Sequence, residues 1–187
     1  MPRDIDCLEK HRLQTNVSCS NCSFGLAYSF QSLKELEHII QQILEDLCNI
    51  QDWNKLDEKL ALKLSLVIEE AAMNALEHGL LSMSKNEKKL RLKQLNNKYH
   101  QHLMGEWKKR KNIPLHITAC INGMRILLGF HDDGSGYDFP ILSLNGDNSI
   151  EDYAPNGRGL SILREYSDMY LNEQGNTLLC SIPLNQN

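Results

Sequence analysis

The chain has 187 residues, of which 41% are hydrophobic and 24% are charged, and its net charge is −4. This length predicts a single domain, and this composition is typical of an ordinary globular chain. No run approaches the roughly 18 consecutive apolar residues of a membrane-spanning helix, and the N-terminus lacks a secretory apolar segment, so we expect a cytoplasmic protein without a membrane partner.

The N-terminal residues 1–24 are polar and have no sustained period, which predicts an irregular extension. The six cysteines are spread over the whole chain, and reduced thiols are expected where no export signal is present. Cys19 and Cys22 have the spacing of a metal-binding pair, but no second pair completes a zinc site. The sequence leaves open whether these two thiols bind metal or take part in redox chemistry.

The first predicted elements are a strand and two helices. Residues 25–31 alternate apolar and polar side chains, which indicates a short strand. Ser32 and Glu35 form an S-x-x-E capping box before a helix whose apolar residues repeat about every 3.6 positions and which breaks at residues 49–54. A second helix is predicted over about residues 56–78, with Gly79 as its C-cap.

A strongly basic segment follows, at about residues 80–113. Between Lys85 and Lys111 there are ten basic and two acidic residues, a local charge of +8, so the rest of the chain carries −12. Its apolar spacing predicts helix, and the segment is either a solvated helical arm or a docking surface. No nucleic-acid reader motif accompanies it and the chain is acidic overall, so we expect no direct nucleic-acid binding.

The C-terminal half predicts a hairpin, a loop, a helix and a last strand. Residues 115–121 and 124–130 indicate two strands joined at Asn122-Gly123, a strong hairpin signal. Residues 139–156 are loop-like, residues 159–169 return to helical spacing, and residues 177–183 indicate a strand. The fold class predicted is α/β, a two-layer sandwich with a mixed, mostly antiparallel sheet covered on one face by helices.

The first candidate motif lies in the second helix, in IEEAAMNALEHG (68–79). Glu70, Asn74 and His78 are four residues apart and therefore lie along one strip of the helix. Asn74 is near the apolar stripe, where an unpaired amide costs about 1–3 kcal/mol, so it requires a partner. A cation with its water shell is one candidate partner. The alternative is a backbone group, with His78 as a satisfied core histidine. Glu77 is assigned to the solvated face.

The second candidate motif is HDDGSGYD (131–138), directly after a predicted strand. The chain has no G-x-x-x-x-G-K-[ST] phosphate loop, the glycine spacing does not fit the dinucleotide fingerprint, and an EF-hand loop from Asp132 would require Glu where Ser143 stands. What remains is a D-x-G-x-G turn. In it, Asp132 is a buried acceptor, and Gly134 and Gly136 permit close approach of the backbone.

The third candidate motif is NGRGLSIL (156–163). Gly157 and Gly159 open a predicted helix, whose first N–H groups carry the positive potential that favours phosphate. Arg158 adds a cation at the same place. An ordinary glycine-rich helix start would show the same pattern, so none of the three motifs identifies a site by itself.

Taken together, in this order and on these elements, the three motifs resemble those of the Bergerat-type (GHKL) ATP-binding fold. Gyrase, the ninety-kilodalton heat-shock chaperones, histidine kinases and mismatch-repair ATPases share that fold. The forms EEAAMNALEHG, DDGSGYD and GRGLSIL, followed by Asp168, are most similar to those of the bacterial anti-sigma-factor serine/threonine protein kinases. The sequence predicts neither the phosphoacceptor helix pair of a sensor histidine kinase nor the transducer domain of the gyrase branch.

The resemblance implies a domain at residues 25–187 that uses ATP and Mg²⁺ as cofactors. It implies that Asn74 holds Mg²⁺ and that Asp132 accepts from the adenine amine, with Thr177 supporting that contact through water. It further implies that Glu70 orients or deprotonates the attacking hydroxyl, and that loop 139–156 is an ATP lid. Additional ATP contacts are implied for His78, Gly134, Gly136, Gly157, Arg158, Gly159 and Leu160. Residues 1–24 have no counterpart in the family, and the basic segment is longer than its usual connection.

The function implied is phosphorylation of an anti-sigma-antagonist-like protein on serine or threonine, in a partner-switching system. A sigma factor or another regulator is a further candidate partner, and a homodimer is the expected assembly. Two alternatives remain: a nucleotide-dependent module that sequesters a partner without phosphotransfer, and a stand-alone histidine-kinase-like ATP domain. Glu70 favours the kinase, because a module without catalysis has no need of that carboxylate.

Overall fold

The computed structural model describes residues 24–50, 57–111, 113–134, 158–172 and 174–184. Its strands are β1 (Phe24–Phe30), β2 (Leu115–Asn122), β3 (Arg125–His131), β4 (Asp168–Leu171) and β5 (Thr177–Pro183). Its helices are α1 (Leu33–Ile50), α2 (Glu58–Asn74), α3 (Lys85–Leu95), α4 (Tyr99–Lys109) and α5 (Arg158–Tyr166). The predicted N-terminal extension, with Cys19 and Cys22, and the predicted lid lie outside these residues.

The five strands form one sheet in the order β1-β2-β3-β5-β4, and every neighbouring pair is antiparallel. The α/β class is confirmed, but the prediction of a mixed sheet is wrong for the described strands. Residues 168–169 were assigned to the end of a helix, whereas they begin β4. Because this additional strand reverses the chain after α5, β5 runs antiparallel to both of its neighbours.

The main hydrophobic core lies between one face of the sheet and the helices. Leu128 and Cys180 face it from paired positions of β3 and β5, and Ile43 and Leu64 meet them from α1 and α2. Full burial of such a side chain contributes about 1.5–3 kcal/mol relative to exposure. The sheet therefore carries helices on the face where the candidate site is built.

Local signals place α1 and the central hairpin. The Glu35 N–H donates to Ser32 Oγ at 3.3 Å, which confirms the predicted Ser32 cap. The Glu35 carboxylate accepts at 2.8 Å from the N–H of Gln31, one residue before the cap, and not from that of Ser32. The β2–β3 turn is also confirmed, and Gly123, with φ +58°, occupies the turn position that favours glycine.

The basic segment is helical, as expected. Helices α3 and α4 are joined by a short 3₁₀ turn (Asn96–Lys98). Leu92 and Leu95 of α3 pack against a small apolar cluster formed by Met83 with Tyr99 and Leu103 of α4. Met73 of α2 packs against the same cluster, which attaches this helical hairpin to the end of α2. No helix in the described segments is long and apolar enough to cross a membrane.

Candidate functional site

The helix that carries the first motif changes its geometry directly after Asn74. There α2 ends, and a π-helical turn, Ala75–Leu80, continues it, with the Leu81 N–H donating to the Leu76 carbonyl at 2.9 Å. Such turns are rare and occur frequently at functional sites. The prediction that Gly79 is the C-cap is wrong, since Gly79 lies inside this turn and the C-cap is Leu81.

The first and second motifs meet at Gly79. A Cβ on this residue would lie 2.5 Å from Asp132 Cγ and 2.8 Å from its Oδ1, well inside van der Waals contact. A Cβ on Gly134 would likewise collide with the carbonyl oxygen of Gly79. The Gly134 N–H donates to Asp132 Oδ1 at 2.9 Å and closes the turn. The glycines are therefore required because two backbone segments and one carboxyl group share the same space.

The Asp132 carboxyl is buried, with only 3% of its surface exposed. Its pKa is raised to about 6, mainly because the carboxyl is buried. The hydrogen bond from the Gly134 N–H lowers the pKa, and the negative charge of Asp133 raises it further. The backbone N–H of Asp132 donates to the Asn176 carbonyl at 3.1 Å, which fixes the turn to the loop before β5. The Asp132 carboxyl is therefore an acceptor in a fixed position at the edge of a cleft. It can favour ligands that present a hydrogen-bond donor at that position.

The first and third motifs meet at Gly159, in the first turn of α5. A Cβ there would collide with Glu70 Oε2 and would lie 3.6 Å from Asn74 Nδ2. The N-terminus of α5 therefore lies directly on the strip of α2 that carries Glu70 and Asn74. Because the first N–H groups of a helix have no intrahelical partner, this arrangement brings positive potential to the same place.

The Asn74 side chain ends in an unsatisfied donor. Its Nδ2 is buried and has no hydrogen-bond partner. Every other buried side-chain nitrogen or oxygen in the described residues has one. An unsatisfied buried donor costs about 1–3 kcal/mol, which a bound ligand can offset. The alternative in which a backbone group satisfies this nitrogen is not observed within the described part of the chain.

Glu70 is half-buried beside Asn74, and its pKa is raised. Burial is the largest cause, and the nearby carboxylates of Glu69 and Glu77 add to it, whereas the positive charge of Lys88 acts in the opposite direction. A carboxylate whose pKa is raised toward neutrality is a better proton acceptor near pH 7.

A small cleft with mostly apolar walls is lined by both Asn74 and Asp132, and Glu70 and Gly159 lie outside its lining. The remaining lining residues are Ala71, Ala75, Phe130, Leu171, Gly175, Asn176 and Leu178. Apolar walls with few fixed polar groups are the usual make-up of a site for a small organic ligand.

Among the described residues, six that were predicted at the site do not line this cleft: Glu70, His78, Gly134, Gly159, Leu160 and Thr177. His78 is buried and its Nδ1 donates to the Met83 carbonyl at 2.6 Å, so it has the internal partner of a core histidine. Thr177 hydrogen-bonds His131 at 2.8 Å; since Leu178 lines the cleft, strand alternation points Thr177 to the opposite face. The Leu160 side chain packs against the main core.

Other predicted residues fall outside the description. Gly136 and Gly157 belong to segments that are not described. Arg158 is the first residue of α5, and its side chain is not described. Within the described segments, no group of three or more His, Cys, Asp or Glu side chains is placed to hold a metal ion.

Glu77 is the residue that sequence reasoning missed. It was assigned to the solvated face, which is wrong, because only 1% of it is exposed. Lys88 Nζ donates to its Oε2, and the Tyr99 hydroxyl donates to its Oε1 at 2.9 Å. The π-helical turn rotates the chain away from the 3.6-residue period on which the assignment rested.

Two comparisons with known proteins were made, and neither identified a relative of this chain. No family model matches the chain, and a search of curated proteins returned no match. The fold and the candidate site rest on the chain's own residues.

Proposed function

We propose that this chain is an ATP-dependent serine/threonine protein kinase of the anti-sigma-factor type, built on the Bergerat ATP-binding fold. The observation that carries the proposal is the position of Asn74. Its orphaned amide shares a cleft with Asp132 and lies against Gly159 at the start of α5. Three motifs that are distant in sequence thus meet at one point, and each is weak evidence when taken alone.

The residues of the cleft fit a nucleotide. Apolar walls from α2, β3 and β5 suit the faces of a base, and the fixed Asp132 carboxyl can accept from the 6-amino group of adenine, where guanine has a carbonyl oxygen. The N-terminus of α5 offers N–H donors and positive potential to phosphate groups. Asp132 would thereby select the base, and α5 would hold the phosphates.

The site also fits Mg²⁺ bound together with phosphates. This ion usually takes one or two protein ligands and completes its shell with phosphate oxygens and water, so a cluster of acids is not required. Asn74 would be the protein ligand through its amide oxygen, whereas its orphaned Nδ2, which is a donor, would bond a phosphate oxygen. When bound, the ion would neutralise negative charge on the phosphates.

Glu70 would orient the hydroxyl of the substrate serine or threonine and accept its proton. Its carboxylate lies beside Asn74 and against Gly159, and its raised pKa suits a proton acceptor. Most of the rate enhancement would come from positioning the hydroxyl and neutralising charge, as in phosphoryl transfer generally.

The substrate we propose is an anti-sigma-antagonist-like protein, in the cytoplasm, with a sigma factor or another regulator as a further partner and a homodimer as the assembly. The basic segment that forms the hairpin of α3 and α4 is longer than the family's usual connection.

Incubation with labelled ATP, Mg²⁺ and candidate antagonist proteins tests the proposal. We expect acid-stable phosphoserine or phosphothreonine on one partner, lost in Glu70→Gln and in Asn74→Ala. Glu69→Gln is the matched control, because Glu69 is the exposed neighbour and should leave transfer unchanged. ATP binding without transfer would contradict the kinase in favour of a sequestering module, and an acid-labile label would indicate a histidine-kinase-like domain.

A further inference from the structure

Asn176 is the cross-strand neighbour of Asp132 at the cleft. The β3–β5 ladder pairs His131 with Thr177. It continues by one position, since the Asp132 N–H donates to the Asn176 carbonyl at 3.1 Å. Residues directly opposite in an antiparallel ladder point to the same face, with Cβ atoms about 4.5–5.5 Å apart. Asp132 and Asn176 both line the cleft, whereas Thr177, which the resemblance placed at the base, points to the opposite face.

The turn between β4 and β5 fixes one end of the Asn176 amide. Asn172 Nδ2 donates to Asn176 Oδ1 at 2.8 Å, and Asn172 Oδ1 accepts from the Thr177 N–H at 3.1 Å. The Gly175 N–H donates to the Asn172 carbonyl at 3.0 Å, which closes the turn. In the described part of the chain, no acceptor is bonded to Asn176 Nδ2. Because Oδ1 is occupied, this nitrogen is the atom of the amide that is left for a ligand.

We propose that Asn176 recognises the adenine base together with Asp132, by donating from Nδ2 to a ring nitrogen beside the 6-amino group. This inference rests on the proposed function. Two acceptor nitrogens, N1 and N7, lie on either side of that amino group, so a protein acceptor next to a protein donor matches the edge of adenine. Guanine has a carbonyl oxygen in place of the amino group and offers no proton to Asp132 there. The pair therefore determines specificity through two neighbouring contacts.

The competing explanation is that Asn176 only stabilises the turn between β4 and β5. Loss of a turn contact would weaken the binding of every adenine nucleotide by the same factor, because it disturbs the wall of the cleft as a whole. Loss of a direct hydrogen bond to the base weakens only those nucleotides that carry the contacted ring nitrogen. The two explanations therefore differ in how the effect of a variant depends on the base.

Calorimetric titration with Mg²⁺ and ATP, 1-deaza-ATP or 7-deaza-ATP separates them. Each analogue replaces one ring nitrogen by a C–H group, which accepts no hydrogen bond. We expect the wild-type protein to bind one of the analogues about three- to tenfold more weakly than ATP, as for loss of one hydrogen bond. Asn176→Ala should bind ATP more weakly by the same factor and should bind that analogue as the wild type does. Gln174→Ala, an exposed amide of the same turn, is the matched control and should change no affinity.

Several results would overturn the inference. Equal losses of Asn176→Ala for all three nucleotides, or no loss for any, would mean that Asn176 serves the turn alone. If Asn176→Ala fails to fold, Asn176→Asp keeps an oxygen for the bond from Asn172, removes the donor and is read by the same affinity ratio. Wild-type protein that binds no ATP would overturn the proposed function and this inference together. Wild-type protein that binds ATP and both analogues equally well would overturn the inference alone.

Discussion

Replacement of Gly79 by alanine tests the packing of the candidate site. The added Cβ would lie 2.5 Å from Asp132 Cγ, and carbon atoms pack at about 3.5–4.0 Å, so either the carboxyl or the helix must move by about 1 Å. Overpacking of this kind costs about 1–3 kcal/mol, and the better helix propensity of alanine returns up to about 1 kcal/mol. We expect a net loss of about 1–2 kcal/mol in the free energy of unfolding.

The matched control is Gly105→Ala in α4, where nothing lies within 4 Å of the added Cβ. That variant should gain about 0.5–1 kcal/mol, because alanine replaces glycine in a helix without a clash. Urea unfolding measures both values, and nucleotide titration of Gly79→Ala should show weaker binding because Asp132 is displaced. If Gly79→Ala were as stable as Gly105→Ala, the close approach of Asp132 to the π-helical turn would be refuted.

Three further predictions concern stability. Asp132 has a pKa of about 6 in the folded chain against the ordinary 3.8, so the folded chain holds this proton to higher pH than the unfolded chain does. The free energy of unfolding should therefore fall by about 2 kcal/mol from pH 4 to pH 7. Asp132→Asn should remove this fall, as measured by urea unfolding at both pH values; an unchanged slope would contradict the burial of the carboxyl. Tyr99→Phe should cost about 1–3 kcal/mol in the same assay, because Glu77 loses a donor, and a neutral result would argue against that bond. Ser32→Ala should cost about 1 kcal/mol through loss of the capping box, seen as a lower melting temperature, and an unchanged one would mean that the cap is not formed.

Features governed by local chemistry were predictable from the sequence. The capping box at Ser32 depends on residues three apart, and the hairpin at Gly123 depends on a turn that favours glycine. The helical character of the basic segment also followed from its own spacing. In these cases the residues that decide the structure are neighbours in the chain.

Features governed by long-range packing were not predictable. Strand β4 has four residues and follows α5 directly, with Met169 continuing the helical spacing, so it was assigned to the helix and the sheet was expected to be mixed. The π-helical turn buries Glu77 against the hairpin of α3 and α4. No local sequence pattern shows that this hairpin packs there. The direction of Thr177 depends on the register of β5 against β3, which sequence spacing does not determine.

The candidate site was predictable in part. The resemblance selected Glu70, Asn74, Asp132 and Gly159. The structure places Asn74 and Asp132 on one cleft, and it places Glu70 and Gly159 beside Asn74. It did not select Gly79 as a packing partner of Asp132, because that requirement appears only when the two backbone segments are seen together.

Competitive nucleotide titration tests the central claim most directly, that the cleft shared by Asn74 and Asp132 binds ATP. Wild-type protein with Mg²⁺ should bind ATP, and GTP should compete poorly, because Asp132 accepts from the 6-amino group of adenine and guanine has a carbonyl oxygen at that position. Asn74→Ala should lose most of that affinity, while the exposed-site variant Glu69→Gln should retain it. Absence of ATP binding by the folded wild-type protein, or unchanged binding by Asn74→Ala, would contradict the account.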